Sequence, residues 1–231
     1  MARFTVAPVC PECLAGIEPL GAAGICARCG LPFETLEPLH GVSLCGLCRR
    51  GATDFDWARG YGAYQGDLRR LIHLLKYDGM EPLARPLASR LAALLAQAGP
   101  VEALLPVPLD RSRRRHRGFN QAELLARHLS RAAGVRLETR VLVRARRTEP
   151  QAGLTHHQRR DNVRGAFRVR RPELVAGRNI ALVDDVITTG ATAAACARAL
   201  KQAGAARVVV LALARARLGP GVLAPPRQEA A

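Results

Sequence analysis

Ile180-Ala-Leu-Val-Asp184-Asp185-Val-Ile-Thr188-Thr189-Gly190-Ala191-Thr192 is the stretch on which the fold turns. Four apolar residues lead into two adjacent carboxylates, a hydroxyl- and glycine-bearing turn, and an alanine-rich run from Ala193 to Ala203. The apolar run is too short for a helix and is closed by turn residues, so it reads as a buried strand of a parallel sheet. The alanine run offers the best helix formers and stops at Gly204, a natural residue just past a helix end. Arg207–Leu213 (RVVVLAL) supplies a second buried strand, which completes a βαβ unit. In open α/β sheets ligands bind beyond the carboxyl ends of the strands, where Asp184 to Thr192 falls.

The chemistry of the turn follows from its parts. Successive backbone N–H groups of Thr188-Thr189-Gly190-Ala191-Thr192, opening a helix, form an anion cradle. The three threonine hydroxyls add donors, and Gly190 lets the backbone approach an anion closely. Two carboxylates beside a phosphate would repel it, so they make sense facing a donor such as a vicinal diol, or a metal ion. A sugar phosphate has both ends. The bland alternative is that Thr188 or Thr192 is only a helix cap and the aspartates are solvated. A Walker-type nucleotide site is excluded, because G-x-x-x-x-G-K-[ST] occurs nowhere in the chain.

Composition bounds the rest. The chain has 231 residues and 48% hydrophobic content, which suits one moderate domain plus a small module. No apolar run reaches membrane-spanning length, and Met1 to Cys10 lacks the apolar core of a signal peptide. A cytoplasmic protein is expected. The formal charge of +16 is localised: residues 111 to 171 hold 18 arginines, no lysine and four acids, so 18 − 4 = +14. Guanidinium groups at this density suit phosphate, of a small substrate or of a nucleic-acid backbone; the alternative is a solvated arginine-rich surface. Aromatic content of 4% argues against a base-stacking platform for single strands.

Six of the seven cysteines form three C-x-x-C pairs: Cys10/Cys13, Cys26/Cys29 and Cys45/Cys48. Fifteen residues separate the last two pairs, a zinc-ribbon spacing. Four thiolates leave no open coordination position, so Cys26, Cys29, Cys45 and Cys48 are expected to hold one structural Zn²⁺. Cys10 and Cys13 are then left over, and His40 is a spare donor. Cys196, among alanines, reads as a small core residue.

Between these landmarks, Trp57–Tyr64 reads as a strand or hairpin. Asp67–Tyr77 is an amphipathic helix with Leu68, Leu71, Ile72 and Leu75 on one face. A second helix spans Pro82–Ala98, with Leu83, Leu87, Leu91, Leu94 and Leu95 as core. Ala103–Val107 is a short strand feeding a basic loop, Arg111–Arg117. Asn120 with Glu123 begins a helix to Ala133, with Leu124, Leu125 and Leu129 inward. Val141–Val143 is a further strand. The polar run Gln151–Asn162 reads as a flap or a partner surface, and Leu218–Ala231 as a disordered tail.

Val183–Thr192 (VDDVITTGAT) resembles the phosphoribosyl-diphosphate (PRPP) signature of type I phosphoribosyltransferases. That resemblance implies that Asp184 and Asp185 hold the ribose hydroxyls, while Thr188, Thr189, Gly190, Ala191 and Thr192 wrap the 5′-phosphate. Members that recognise 6-oxopurines carry Asp where Thr188 stands, and the DDVITTG form is closer to orotate-type members, so the base is not assigned. The wider chain resembles the ComF family, competence-associated phosphoribosyltransferase-like proteins with N-terminal zinc ribbons. GICARCGLPF, LCGLC, YGAYQGDLRRLIHLLKY, PVPL, RGFNQAELLAR and QAGLTHHQRRDNVRGAF carry this wider match. Many members have two ribbons and four C-x-x-C pairs. Cys10/Cys13 resembles the second half of a first ribbon, either truncated at the start or degenerate.

The resemblance implies a zinc-ribbon module over residues 1–51 and a Rossmann-like type I phosphoribosyltransferase domain with a parallel sheet over 52–217. It also implies Mg²⁺ bound with PRPP, and a pyrophosphate loop containing Pro108 and Arg117. The expected function is PRPP binding or transfer linked to DNA uptake or nucleotide metabolism. The alternative is a non-catalytic accessory factor of natural transformation that binds single-stranded DNA or DNA-uptake proteins.

Overall fold

A computed structural model describes residues 9–21, 24–33, 43–146, 148 and 156–217. His40 and the 218–231 segment lie outside the described residues, as does the 151–155 part of the expected flap.

The core is a five-stranded sheet of β1 (Trp57–Ala63), β2 (Ala103–Pro106), β3 (Arg136–Leu137), β6 (Asn179–Ile187) and β7 (Arg207–Arg215), in the order β1-β7-β6-β2-β3. Every pairing in this sheet is parallel. The Rossmann-like expectation is therefore met. The sheet lies between two apolar layers, which explains why its central strands read as unbroken apolar runs rather than alternating ones. Leu104, Ala181, Val183, Val209 and Leu211 face α3 (Gly66–Tyr77), α4 (Ala84–Gln97) and α6 (Gln121–Ala133). Leu105, Ile180, Leu182, Val208 and Val210 face α8 (Ala191–Gln202) and, in the same cluster, Cys26, Cys29, Cys45 and Cys48. The cysteine segment thus shares the core of the α/β body.

Helical periodicity was a reliable guide wherever one face had to be buried. Leu68, Leu71, Ile72 and Leu75 of α3 are all buried, as are Leu87, Leu91 and Leu94 of α4. Pro82 sits in a short 3₁₀ turn, Glu81–Leu83, that leads into α4. Leu95 and Leu124 are only partly buried, at the margins of their apolar stripes. Gly134 and Gly204 end helical segments with φ of 68° and 89°, values an L side chain resists.

Three features sharpen or depart from the sequence reading. Of the strand and hairpin alternatives for residues 57–64 the structure shows the strand, Trp57–Ala63, at the edge of the sheet. Its Gly60 permits a close approach to β7: an added Cβ would lie 2.4 Å from the Arg215 backbone nitrogen. The basic tract is not a loop but helix α5 (Arg111–Arg117), started by the Asp110 carboxylate accepting from the Ser112 N–H at 2.9 Å and ended at Gly118 with φ 84°. Asp110 and Gly118 are ordinary start and stop signals, outweighed in the sequence reading by the density of charge. Finally, β4 (Leu142–Arg144) pairs with β5 (Phe167–Val169) in a separate antiparallel ribbon.

Two short helices, α1 (Pro11–Ala15) and α2 (Gly46–Arg49), belong to the cysteine-bearing part, and α7 (His156–Val163) occupies the end of the expected flap. No helix among the described residues is long and apolar enough to cross a membrane.

Candidate functional site

The direction of the helical connections reverses between neighbouring β2 and β6. From β2 the chain passes through α6 to β3 on one side; from β6 it passes through α8 on the opposite face to β7. That is a topological switch point, where the loops diverge and leave a crevice at the carboxyl ends of the strands. A cleft of about 230 Å³ opens there, lined by Asp184, Asp185, Thr188, Gly190, Ala191 and Thr192, and by Pro108 and Arg117 from beyond β2. Lys76, Tyr77, Arg113 and Arg144 complete its charged and aromatic wall. Thr189 lies just behind, 8% exposed, its hydroxyl accepting from the Ala191 N–H at 3.3 Å. The acidic pair, most of the threonine loop, and Arg113 and Arg117 of the basic segment thus meet in one place.

The strand does not end at the acids. β6 runs on to Ile187, so Asp184 and Asp185 are strand residues held in register against β7. Gly190, with φ 80°, turns the chain into α8, so that helix begins at the cleft with its first-turn N–H groups free of intrahelical acceptors. From α7, Arg159 donates to the Thr188 hydroxyl at 3.4 Å.

Asp185 is 4% exposed and is held from two sides. Lys76 makes an ion pair with one of its oxygens, and Gln121 Nε2 donates to the other at 3.0 Å. Gln121 in turn accepts from Arg117, whose guanidinium lies 5.2 Å over the Tyr77 ring. One network therefore ties α3, α5 and α6 to β6. Burial pushes the Asp185 carboxyl up, but Lys76, Gln121 and Asp184 outweigh it, so Asp185 is held below the usual carboxylate range. For Asp184, burial and the neighbouring Asp185 charge act together and push its carboxyl well above that range. The pair thus divides its proton affinity unequally, Asp184 taking up a proton more readily than Asp185. Against the pair stand Lys76, Arg113, Arg117 and Arg144, an excess of positive charge that suits a polyphosphate.

Lys76 and Gln121 were missed in the sequence reading. Lys76 ends an amphipathic helix on its polar side, where a solvated cation is the default. One signal was present: Lys76 and Lys201 are the only lysines among 35 basic residues. Both make ion pairs in the fold, Lys201 with Asp56 at 2.8 Å. An ammonium is a compact point charge that fits one carboxylate oxygen, unlike the broad guanidinium fork. Gln121 carried no signal beyond its place at a helix start.

A second cleft of about 300 Å³ shares Pro108, Leu109 and Arg144 with the first and adds Arg111, Arg114, Arg146, Arg168 and Arg170. It lies between α5 and the β4–β5 ribbon, so α5 and Arg144 form a wall common to both.

The cysteine expectation is met in its geometry. Cys26, Cys29, Cys45 and Cys48 are buried with their sulfurs all within 4.8 Å of one another, and no other such group occurs among the described residues. Zn–S bonds of about 2.3 Å in a tetrahedron put sulfurs about 3.8 Å apart; Cys29 Sγ and Cys45 Sγ are 3.6 Å apart. The Cys45 N–H points at Cys26 Sγ at 3.3 Å, an N–H···S contact of the kind that orients a ligating sulfur. Hydrogen bonding within the cluster pushes Cys26 down and Cys29 and Cys48 up. The donor set fits a closed metal centre. Cys10 and Cys13 lie outside it, joined by a Cys13 N–H to Cys10 Sγ contact of 3.4 Å.

Comparison with known proteins places the chain in a family. Residues 81–221 match the family described as the phosphoribosyl transferase domain. The DNA utilization protein YhgH of Escherichia coli (strain K12) is 35% identical over 197 residues, covering 83% of this chain and 84% of that protein. The competence protein F of Haemophilus influenzae is 33% identical over 199 residues, with 83% and 84% coverage. The competence protein ComFC of Bacillus subtilis (strain 168) is 27% identical over 210 residues, with 87% and 81% coverage. The family match begins at Glu81, although β1 and Lys76, which precede it, belong to the same sheet and the same cleft.

Proposed function

This chain belongs to the phosphoribosyl transferase domain family and, within it, to the ComF group of competence and DNA-utilization proteins, and on that premise we propose that its cleft binds PRPP. The observation that carries the reading is the meeting of Asp184–Asp185, the Thr188–Thr192 loop and Arg117 at a single switch-point cleft. In this reading the two aspartates accept from the ribose 2′- and 3′-hydroxyls. The N–H groups and hydroxyls of Thr188–Thr192 take the 5′-phosphate. Arg117, held by Gln121 and Tyr77, faces the pyrophosphate, with Arg113 and Arg144 beside it.

If the site turns over, an acceptor forms a bond to the anomeric carbon as the bond to pyrophosphate oxygen breaks, and the electron pair leaves with pyrophosphate. Positive charge develops on the sugar and negative charge on the leaving group. Arg117 and Arg113 stabilise the latter, and the Asp185 carboxylate stabilises the former through the ring hydroxyls. Mg²⁺ bound with PRPP would neutralise part of the pyrophosphate charge, with the Asp184–Asp185 pair the nearest oxygen donors. Zn²⁺ is the metal we assign to Cys26, Cys29, Cys45 and Cys48, in a structural role. Reduced thiols in that centre favour a cytoplasmic location.

Titration calorimetry with Mg²⁺–PRPP tests the reading. Binding is expected in the wild type and its loss in Asp184→Asn/Asp185→Asn. Absence of binding heat, or unchanged binding in the double variant, would end the substrate claim.

A second reading, a nucleic-acid-binding accessory factor of DNA uptake, is favoured by one observation. Arg111, Arg113, Arg114 and Arg115 are exposed on α5, which borders both arginine-lined clefts. Oligonucleotide affinity that falls steeply with salt, with a slope reduced by Arg113→Ala/Arg114→Ala/Arg115→Ala, would support it. PRPP-dependent pyrophosphate release without salt-sensitive DNA binding would exclude it as the main role.

A further inference from the structure

Arg215 stands out in the described structure: it ends β7, is 1% exposed, and no carboxylate pairs with it among the described residues. Burying an uncompensated guanidinium is costly, so its donors and its charge must be met elsewhere. Its donors go to carbonyls. Nε donates to Cys29 O at 3.2 Å, while Nη1 donates to Ile187 O at 2.9 Å and to Thr188 O. Nη2 lies 3.9 Å from Cys29 Sγ. One side chain thus bridges the knuckle of the metal centre and the first residues of the anion loop.

Both ends are rigidly seated. The knuckle is pinned to β1 by Ala58 N–H to Arg28 O at 2.7 Å and by Arg59 Nη2 to Ala27 O at 2.9 Å. Gly60 lets β1 pass against the Arg215 backbone at a distance no other residue would tolerate. At the far end, the Ile187 and Thr188 carbonyls set the peptide planes from which the Thr189–Thr192 backbone follows, and Thr188, Gly190, Ala191 and Thr192 line the cleft. Two neighbours of that loop are also fixed: Phe55 lies against Gly190, and the Thr189 hydroxyl closes on the Ala191 N–H.

We propose that Arg215 is a positioning residue that couples occupancy of the four-cysteine metal centre to the conformation of the Thr188–Thr192 anion loop. Four thiolates around one divalent cation carry a net charge of −2, which supplies the counter-charge the buried guanidinium lacks. With the metal in place, Cys29 and its carbonyl are held, Arg215 is held against them, and the loop carbonyls are held in turn. Without the metal, the knuckle relaxes and the guanidinium loses both its electrostatic partner and one acceptor. The coupling rests on the loop being the phosphate-binding element proposed above. By linkage it runs both ways: metal favours anion binding, and a bound anion tightens metal binding by the same free energy.

The test uses the zinc-loaded full chain. Zinc transfer to the chelating dye 4-(2-pyridylazo)resorcinol is timed with and without saturating Mg²⁺–PRPP, whose binding is measured separately by calorimetry. Release is expected to slow on the order of fivefold or more when PRPP is bound. Arg215→Met should keep one zinc per chain yet lose the slowing, and should bind PRPP at least about tenfold more weakly. Arg215→Lys retains the charge but not the three-way reach, so it too should keep one zinc per chain and should not recover the slowing. PRPP that binds the wild type without changing zinc release refutes the coupling, as does slowing that survives in Arg215→Met.

A second measurement needs no variant. Hydrogen exchange of the Gly190–Thr192 amides should quicken on zinc removal while the Val209–Leu213 amides of β7 stay protected. Equal protection of the loop overturns the proposal, and so does simultaneous loss at β7, which would make the centre a global staple. If the wild type binds no PRPP, the ligand reading has failed, and this exchange arm alone decides the coupling.

Discussion

Replacing Lys76 by methionine removes the counter-charge of Asp185 and keeps most of the buried hydrocarbon stem. The two side chains are 15% and 5% exposed, so Asp185 cannot be rescued by bulk water. Removing one partner of a buried pair costs about 3–5 kcal/mol, because the remaining charge is stranded. Gln121 still donates to Asp185, which favours the lower end, about 3 kcal/mol at pH 8. The pH dependence has a definite sign. In the wild type the Asp185 carboxyl is depressed, so its contribution is present above the unfolded value near 3.9 and is lost only as pH falls below that. In Lys76→Met burial acts without Lys76, the Asp185 carboxyl rises, and the folded variant is stabilised by taking up a proton. The deficit should therefore shrink as pH falls from 8 toward 5, by at most about 1.4 kcal/mol per pH unit. Urea denaturation of the zinc-loaded protein at several pH values measures this. A loss below about 1 kcal/mol, or one independent of pH, would show that Lys76 does not hold Asp185 and would refute the reasoning.

Further outcomes follow from the same network and from the metal-linked edge of the sheet. Asp185→Asn strands Lys76 and should lose about 3–5 kcal/mol near neutrality with the opposite trend, recovering as pH rises and Lys76 loses its proton; the same denaturation series checks the slope. Asp184→Asn replaces a carboxyl whose affinity for protons is already raised, so above pH 7 it should match or exceed the wild type in stability, and calorimetry should nevertheless show weakened PRPP binding. Gly60→Ala forces a Cβ to within 2.4 Å of one β7 backbone atom and 2.6 Å of another, and should cost at least about 1–3 kcal/mol with lowered protection of β1 amides in hydrogen exchange. Metal analysis should find one zinc per chain, lost in Cys26→Ser/Cys29→Ser but retained in Cys10→Ser/Cys13→Ser.

Much of the fold was legible along the chain because it is written in local alternation and punctuation. The apolar runs at 180–183 and 207–213 had to be strands buried on both sides, and the stripes of α3 and α4 had to be helix faces. The four-cysteine spacing was equally direct, since two tight knuckles can present four sulfurs to one ion. The basic tract was harder. Seven residues with five arginines and no apolar stripe carry no periodicity, and only Asp110 and Gly118 mark the helix they form.

Taken alone, then, the sequence determined the βαβ frame, the acid pair and the threonine–glycine turn that follows it, and the cysteine quartet, because each is a pattern among neighbours in the chain. Tertiary structure alone decided which charges answer which. Lys76 meets Asp185, Gln121 meets Asp185 from 64 residues away, and Arg215 meets Cys29 across 186. Hydropathy patterns specify whether a residue is buried, and charges are solvated by default. A buried ion pair exists only where packing excludes water from both partners at once. That condition belongs to the assembled sheet and its covering helices, and no local stretch of the chain encodes it.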